Sequence, residues 1–579
     1  MKELHGRGAA AGCACGVVKR YESARIEAVR RPVKDIPAEI EKLERARAEY
    51  SAALAELQQQ PGQAKEAAGI LQAYQEILQD DVFFSTVAER AAQEQVNVDY
   101  ALQEEAASTA EAFGQLDDPY LADRAVDIRN ICDEITLRIQ GRARGDGADL
   151  SGGTETWIVF AEDLTPDATL RMDKSRLGGF VTKLGGLTSH TVILAKSLGI
   201  PAVVGAADAM DQAQNGDSVI LYGDSGRVIL NPDEAMLRDF QVLQDRQKKV
   251  QAAYAAVRDR PAVTKDGTPV QVCVNLGDGK TDSALAMADS DGVGLFRTEF
   301  IYIAAGHNPT EEEQFTHYRD VAVKANGRPV IIRTLDIGGD KQVSYLNLPA
   351  EANPFLGYRA IRLCLDRKEL FLTQLKAILR ASAYGNLKIM FPMIASLSEL
   401  RAAKAVLAQA RRELDAAGVA YAPDIPVGIM VETPAAVMIS DQLARESAFF
   451  SIGTNDLTQY ITATDRMNER VQYLYDPCSP SVLRAIRMVS LSAKRYGIPV
   501  GMCGEAASDA LAIPLWLAMG LSELSVVPSQ MAQTKYVVGR ISESAVRARL
   551  SELLDLENAE AVRGALRGIQ QEFGTVPIC

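Results

Sequence analysis

From residue 262 onward the apolar residues gather into short runs separated by helical stretches, and the pattern repeats eight times. The runs lie at 270–274, 292–296, 330–332, 387–391, 427–431, 449–452, 499–502 and 524–527. Eight strand–helix units in about 300 residues are what a (β/α)8 TIM barrel requires, and such barrels carry their active sites at the strand C-termini. Arg297, Arg333, Glu432, Asn455, Asp456 and Cys503 each fall just after a run. Two arginines and an asparagine suit a doubly charged, oxygen-rich ligand, because guanidinium grips carboxylate or phosphate with two parallel hydrogen bonds. Arg359 and Arg466 extend that substrate-binding set. Glu432 and Asp456 offer two hard oxygen ligands, which fits Mg²⁺ that keeps some waters and also meets a substrate phosphate. Cys503, flanked by Gly501 and Gly504, reads either as an acid in a tight loop or as a small core residue. The set as a whole reads as a site for a phosphorylated small carboxylic acid.

The chain before the barrel changes period twice. Residues 1–30 are rich in Gly and Ala, with a strand expected at 17–21. From 37 to 142 the pattern is helical: Ile40, Leu43, Tyr50, Leu54 and Leu57 recur at helical spacing. Pro61 and Gly62 break that run, and further helices are expected at 64–79, 82–94, 97–113 and 120–141. This is a small helical domain of hairpins, a docking or structural module. Turn-rich residues 143–153 end it, and short strands at 157–161, 179–183, 202–204, 218–222 and 228–230 then alternate with short helices. The strand at 17–21 belongs to that α/β unit, so the helical region is an insertion in it. A charge-dense helix over 233–258 reads as a linker that permits swinging. The expected domains are therefore 1–30 with 143–230 (α/β), 31–142 (helical bundle), 231–260 (linker helix) and 261–579 (barrel).

The α/β unit holds the stretch GGLTSHTVILAKSLGIPAVVG at 185–205, with one of the chain's four histidines, His190. Gly185 and Gly186 allow a tight turn, and Thr188 and Ser189 are good N-cap residues. Gly199 and Pro201 stop the helix that follows. His190 thus falls in the first turn of a short helix. The positive helix end favours the neutral, nucleophilic ring, and its free N–H groups welcome a phosphoryl group. Taken alone, the residue reads as a capping histidine or as a covalent phosphoryl carrier.

A net charge of −14 argues against a broad nucleic-acid or anionic-membrane surface. No apolar run approaches the roughly 18 residues of a membrane span, and the N-terminus lacks the apolar core of a signal peptide. The eight cysteines show no zinc-type spacing and no dense disulfide pattern, so the expected setting is a reducing cytoplasm.

The 185–205 stretch resembles the phosphohistidine signature of phosphoenolpyruvate-utilising enzymes. GLFRTEF (294–300), RTLDIGGDK (333–341), NPFLGYRAIR (353–362), FPMI (391–394), GIMVETPAA (428–436), FSIGTNDLTQY (450–460), TDRMNERV (464–471) and GMCGE (501–505) are similar to the Enzyme I family of the bacterial phosphotransferase system. The resemblance covers almost the whole chain, in order. It implies a phosphoenolpyruvate-dependent phosphotransferase that starts sugar uptake. Phosphoenolpyruvate would bind at the barrel mouth, held by Arg297, Arg333, Arg359, Asn455, Asp456 and Arg466, with Mg²⁺ on Glu432 and Asp456. His190 would take the phosphoryl group, and Cys503 would protonate the enolpyruvate carbon. The carrier protein HPr would dock on the helical insertion and accept the group on a histidine. The barrel would form a homodimer. Thr169 would hydrogen-bond the second nitrogen of His190. Two stretches depart from the family text: IYIAAGHNPTEEEQF after GLFRTEF, and SELSVVPSQMAQ near the C-terminus. Two other readings stay open, an ATP-linked synthase or dikinase and a regulatory paralogue with altered catalysis. The first lacks a recognisable nucleotide-binding domain here, and the second is opposed by the full set of chemical residues.

Overall fold

The computed structural model of the chain describes residues 1–21, 26, 28–58, 65–114, 119–142, 155–164, 172–173, 175–184, 192, 195–196, 199–277, 287, 289–339, 341, 343–468 and 470–574. His190 and Thr169 lie outside the described residues, as does the break at 61–62. The chain divides into two compact units, Met1–Gln244 and Asp245–Cys579.

The first unit is built on one eight-stranded sheet in the order β1-β8-β7-β3-β4-β5-β6-β2. Its strands are β1 (Lys2–His5), β2 (Arg7–Ala10), β3 (Cys13–Tyr21), β4 (Trp157–Ala161), β5 (Leu177–Thr182), β6 (Ala202–Val204), β7 (Ser218–Tyr222) and β8 (Arg227–Leu230). Strands β3 to β6 run parallel, and the pairings that involve β1, β2, β7 or β8 are antiparallel. Both faces are covered. Ile158 and Phe160 pack with Val18, Val203 and Leu221 on one side, while Val159 and Ala161 pack with Phe180 and Val204 on the other. That double burial is why β4 reads as an unbroken apolar run.

Between β3 and β4, which pair side by side from Val17 opposite Trp157 to Tyr21 opposite Ala161, the chain leaves the sheet for a helical region, with five helices among the described residues. They are α1 (Ile36–Gln58), α2 (Lys65–Leu78), α3 (Asp81–Glu94), α4 (Val98–Gly114) and α5 (Pro119–Ile139). Leu43, Tyr50 and Leu54 of α1 meet Tyr74, Phe84, Leu102 and Ile131 in one core. Asp80 caps α3 by accepting from the Val82 and Phe83 N–H groups, as N-cap aspartates do. A charge-dense helix, Glu234–Ala255, follows β8 in the chain.

The second unit is a closed barrel of eight parallel strands: β10 (Pro269–Leu276), β11 (Val293–Phe296), β12 (Val330–Arg333), β13 (Leu387–Phe391), β14 (Val427–Val431), β15 (Phe450–Ile452), β16 (Val500–Met502) and β17 (Glu523–Val526). Closure is made by β10, which pairs β17 on one side and β11 on the other. A two-residue strand, β9 (Ala262–Val263), adds to β10 antiparallel. Every one of the eight expected runs is a barrel strand. Residues Phe296, Ile332, Ile429 and Val431 belong to the large core shared with the surrounding helices, whereas Leu295, Ile331, Met390, Met430 and Cys503 form a separate small cluster. The alternation of a strand separates those two sets, one packed outward and one filling the barrel. No helix of the described residues is long and apolar enough to cross a membrane.

Candidate active site at the barrel mouth

The same alternation builds the site. Two residues on from Leu295, Ile331, Met430 and Gly501 come Arg297, Arg333, Glu432 and Cys503, on the inward side of four strands and at their C-terminal ends. They line a cavity of about 440 Å³ together with Arg359, Asn455, Asp456 and Arg466. All eight side chains singled out in the barrel sequence therefore meet in one place.

The cavity is polar and densely paired. Arg333 is buried; it donates to Glu299 through Nη2 and stands 3.1 Å from Asp336 through Nη1. Arg359 Nη2 donates to Asp336 Oδ1 at 2.8 Å and reaches Asp456 Oδ2 at 3.5 Å. Lys341 Nζ lies 2.6 Å from Glu299 and 3.6 Å from Asp336. Burial alone would raise Asp336, but Arg333, Arg359 and Lys341 hold its carboxyl well below the usual carboxylate range. Arg297 is different: its side chain makes no hydrogen bond or ion pair among the described residues. A guanidinium in a cavity with its donors unspent is a ready anion contact.

The backbone around these groups is held tightly. Thr298 Oγ1 donates to the Arg333 carbonyl at 3.0 Å, and Gln374 donates to Thr298 while accepting from Leu335 N–H at 2.9 Å. Gln374 is fully buried, so one side chain fixes the ends of β11 and β12. Ala360, next to Arg359, has φ 54° and ψ −127°, a conformation that costs an L-residue about 1–3 kcal/mol and persists only where the surroundings impose it. A Cβ on Gly453 would lie 2.8 Å from Glu432 Oε2, so only glycine lets the β15 end approach that carboxylate.

Glu432 and Asp456 are the two carboxylates expected to hold a metal. Glu432 accepts from Met393 N–H at 2.6 Å. Burial, with the charges of Asp456 and Asp336 behind it, pushes its carboxyl up to about 8, while Arg333 and Arg359 pull the other way. Asp456 Oδ1 is buried without a hydrogen-bond partner. An orphaned oxygen beside a carboxyl that resists ionisation is a donor set that a divalent cation would satisfy. Among the described residues no cluster of three or more His, Cys, Asp or Glu groups is arranged as a metal cage.

Asn455 exchanges two hydrogen bonds with Glu505: its Nδ2 donates to Glu505 Oε1 at 2.9 Å, and the Glu505 N–H donates to its Oδ1 at 3.0 Å. Tyr475 OH donates to the Asn455 carbonyl at 3.1 Å. The C-terminal helix Ala559–Phe573 braces both neighbouring loops, because Arg563 grips Asp476 at 2.8 and 2.9 Å and Asp509 at 2.9 Å. The Cys503 thiol is buried and pushed up to about 11 by that burial. Asp336, Lys341, Glu505 and Tyr475 line the cavity and were not singled out by the sequence reading. Asp336 had a signal, an acid three residues after Arg333 in the same strand-end loop. Glu505 had the same kind of signal, two residues after Cys503, whereas Tyr475 had none, because its role depends on loops that meet only in the closed barrel.

Comparison with known families places this barrel among the PEP-utilising enzymes, as their PEP-binding domain. Residues 251–543 match the family model for the PEP-utilising enzyme PEP-binding domain, 153–226 that for the mobile domain and 5–124 that for the N-terminal domain. The phosphoenolpyruvate-protein phosphotransferase of Geobacillus stearothermophilus is 43% identical over 564 residues, covering 97% of each chain. That of Bacillus subtilis is 41% identical over 566 residues, covering 97% of this chain and 98% of its own. A solution structure of Enzyme I is 33% identical, spanning 42% of this chain and 99% of its own at a TM-score of 0.37. The chain belongs to the phosphoenolpyruvate-protein phosphotransferase family.

Proposed function

We propose that the chain transfers the phosphoryl group of phosphoenolpyruvate to His190 and then to a histidine of the carrier protein HPr. The observation that carries this reading is the convergence of Arg297, Arg333, Arg359, Arg466, Glu432, Asp456 and Cys503 on one cavity. Arg297 and Arg333 hold the phosphate and carboxylate of the substrate, with Arg359, Asn455 and Arg466 completing the shell. Glu432 and Asp456 would hold Mg²⁺, which would supply charge neutralisation to the transferring group. A ring nitrogen of His190 attacks phosphorus, and the bond from phosphorus to the enol oxygen breaks. The electron pair returns through the enolate, whose methylene carbon takes the proton of the Cys503 thiol. Pyruvate leaves, and water reprotonates the thiolate. In this reading the α/β domain at 1–30 and 143–230 carries His190, 31–142 docks HPr, 231–260 links the α/β domain to the barrel, and 261–579 binds substrate and dimerises in the cytoplasm. The direct test is incubation of the full chain with radiolabelled phosphoenolpyruvate and Mg²⁺, without ATP. Acid-labile, base-stable label matched by pyruvate supports the reading, and its discharge by HPr completes it. Label that appears only with ATP favours the dikinase alternative.

Two predictions come from the titrating groups. A thiol at about 11 is about 0.1% thiolate at pH 8. Cys503 should therefore resist iodoacetamide at pH 8 while the phosphoenolpyruvate reaction runs normally. Cys503→Ser should lower pyruvate formation by about 10²-fold or more, the usual loss of a general acid. Rapid alkylation of Cys503, or full activity in Cys503→Ser, would count against the acid role.

Glu432 is raised from 4.5 to about 8 in the fold. Between those values the folded state holds a proton that the unfolded chain has lost, so stability falls as pH rises through that window. Glu432→Gln removes the dependence and keeps the oxygen that accepts from Met393. Without Mg²⁺ the variant should be more stable than wild type at pH 8, by a few kcal/mol, with the gap closing towards pH 5. Excess Mg²⁺ should stabilise wild type and not the variant. Thermal melts at both pH values decide it; a variant less stable at pH 8 without Mg²⁺ contradicts the assignment.

A further inference from the structure

The opposite end of the barrel holds a second cavity, of about 360 Å³, that the chemistry above does not use. It opens where β10, β16 and β17 begin, beside Pro269, Val500 and Ser522. Three cations line it: Arg487 and Lys494 from the helix Pro480–Tyr496, and Arg547 from the helix Glu543–Ala548. Among the described residues Glu543 is the one carboxylate in its wall.

The two guanidiniums are aimed by one structural element. Arg487 Nη1 donates to the Met519 carbonyl at 3.1 Å, and Arg547 Nε donates to the Ala518 carbonyl at 3.3 Å. Those carbonyls end the helix Ile513–Ala518, where unsatisfied C=O groups attract cations. Arg547 is also paired with Glu543, four residues before it. Arg487 has no carboxylate partner among the described residues, and that one carbonyl bond leaves four of its five N–H donors. Burial, and then the like charge of Arg547, hold Arg487 below the ordinary guanidinium range. Two fixed guanidiniums that repel each other inside a concavity, with a lysine at its rim, are stabilised by an anion that bridges them. The volume falls in the range of small-molecule pockets.

We propose that this cavity binds a phosphate group, as inorganic phosphate or as a small phosphate ester, between Arg487 and Arg547. Val500 lines this cavity and Cys503 the mouth, so β16 runs from one site to the other.

The test is hydrogen–deuterium exchange on the full-length protein, without Mg²⁺, with inorganic phosphate and with glycerol phosphate as separate probes. Segments 487–494 and 517–522 should gain protection, apart from any change at 453–467 in the mouth. Arg487→Met should weaken the apparent phosphate affinity at 487–494 by about tenfold or more, and Arg487→Lys by less. Glu543→Gln removes the competing carboxylate and should tighten binding, which gives a variant that moves the other way. Stronger protection by glycerol phosphate assigns an ester, and stronger protection by phosphate assigns the inorganic ion. Absence of protection with both probes in wild type and in Glu543→Gln, or unchanged protection in Arg487→Met, overturns the proposal.

Discussion

Replacing His190 by alanine should abolish labelling by phosphoenolpyruvate and reduce pyruvate formation by about 10⁴-fold or more. The size follows from chemistry. Direct hydrolysis of the enol phosphate would need water to stand where the imidazole attacks, and the arginines that stabilise the transferring group do not supply a nucleophile. Binding should survive, because the residues proposed to hold the substrate all belong to the barrel. The variant should therefore still bind phosphoenolpyruvate in a calorimetric titration while giving no acid-labile label. Label on the variant would move the nucleophile to another residue. Loss of binding together with label would mean that His190 acts on the ground state.

Arg333→Met should be the most damaging substitution in the barrel, and its damage should be of two kinds. Arg333 is buried against Glu299 and Asp336, and the two cations that would remain, Lys341 and Arg359, face a third anion as well, since Arg359 also pairs with Asp456. Its removal leaves excess negative charge out of reach of water, at a cost of about 3 kcal/mol. Loss of a donor to the transferring group should also lower turnover by about 10³-fold. A double variant separates the two effects: Arg333→Met with Asp336→Asn should recover much of the thermal stability and none of the turnover. Recovery of turnover with stability would make Arg333 a structural residue alone.

Much of this site was legible because a strand has a period of two. Arg297, Arg333 and Glu432 stand two residues beyond barrel-filling apolar side chains, so each apolar run announces which polar residue faces inward. The eight strands were legible because helices surround the barrel and its own side chains fill it, so the runs are mostly buried, with Gln271 of β10 an exposed exception. Strands β1 and β2 were not. KELH and RGAA sit at the two edges of their sheet, paired only to β8 and β6. An edge strand is held by backbone hydrogen bonds and needs no apolar signature. The ion-pair lattice was partly hidden for another reason. Asp336 and Lys341 share the loop after β12, whereas Glu299 follows β11, so their partnership with Glu299 is a property of closure. Arg563 is hidden in the same way, since its two aspartates lie 87 and 54 residues away in sequence.

The insertion of five helices between β3 and β4 imposes an order of assembly. Val17 pairs beside Trp157, so the central parallel pair of the sheet must close across the whole bundle. Closing so long a loop from a disordered chain is entropically unfavourable and slow. A bundle that folds first presents its two ends as a short effective tether and removes most of that penalty. The bundle is also completed earlier during synthesis than the sheet, whose β8 ends at Leu230. Pulse-labelling hydrogen exchange during refolding should find α4 and α5 amides protected before those of β3 and β4; protection in the reverse order would show that the sheet can nucleate around an unfolded insert.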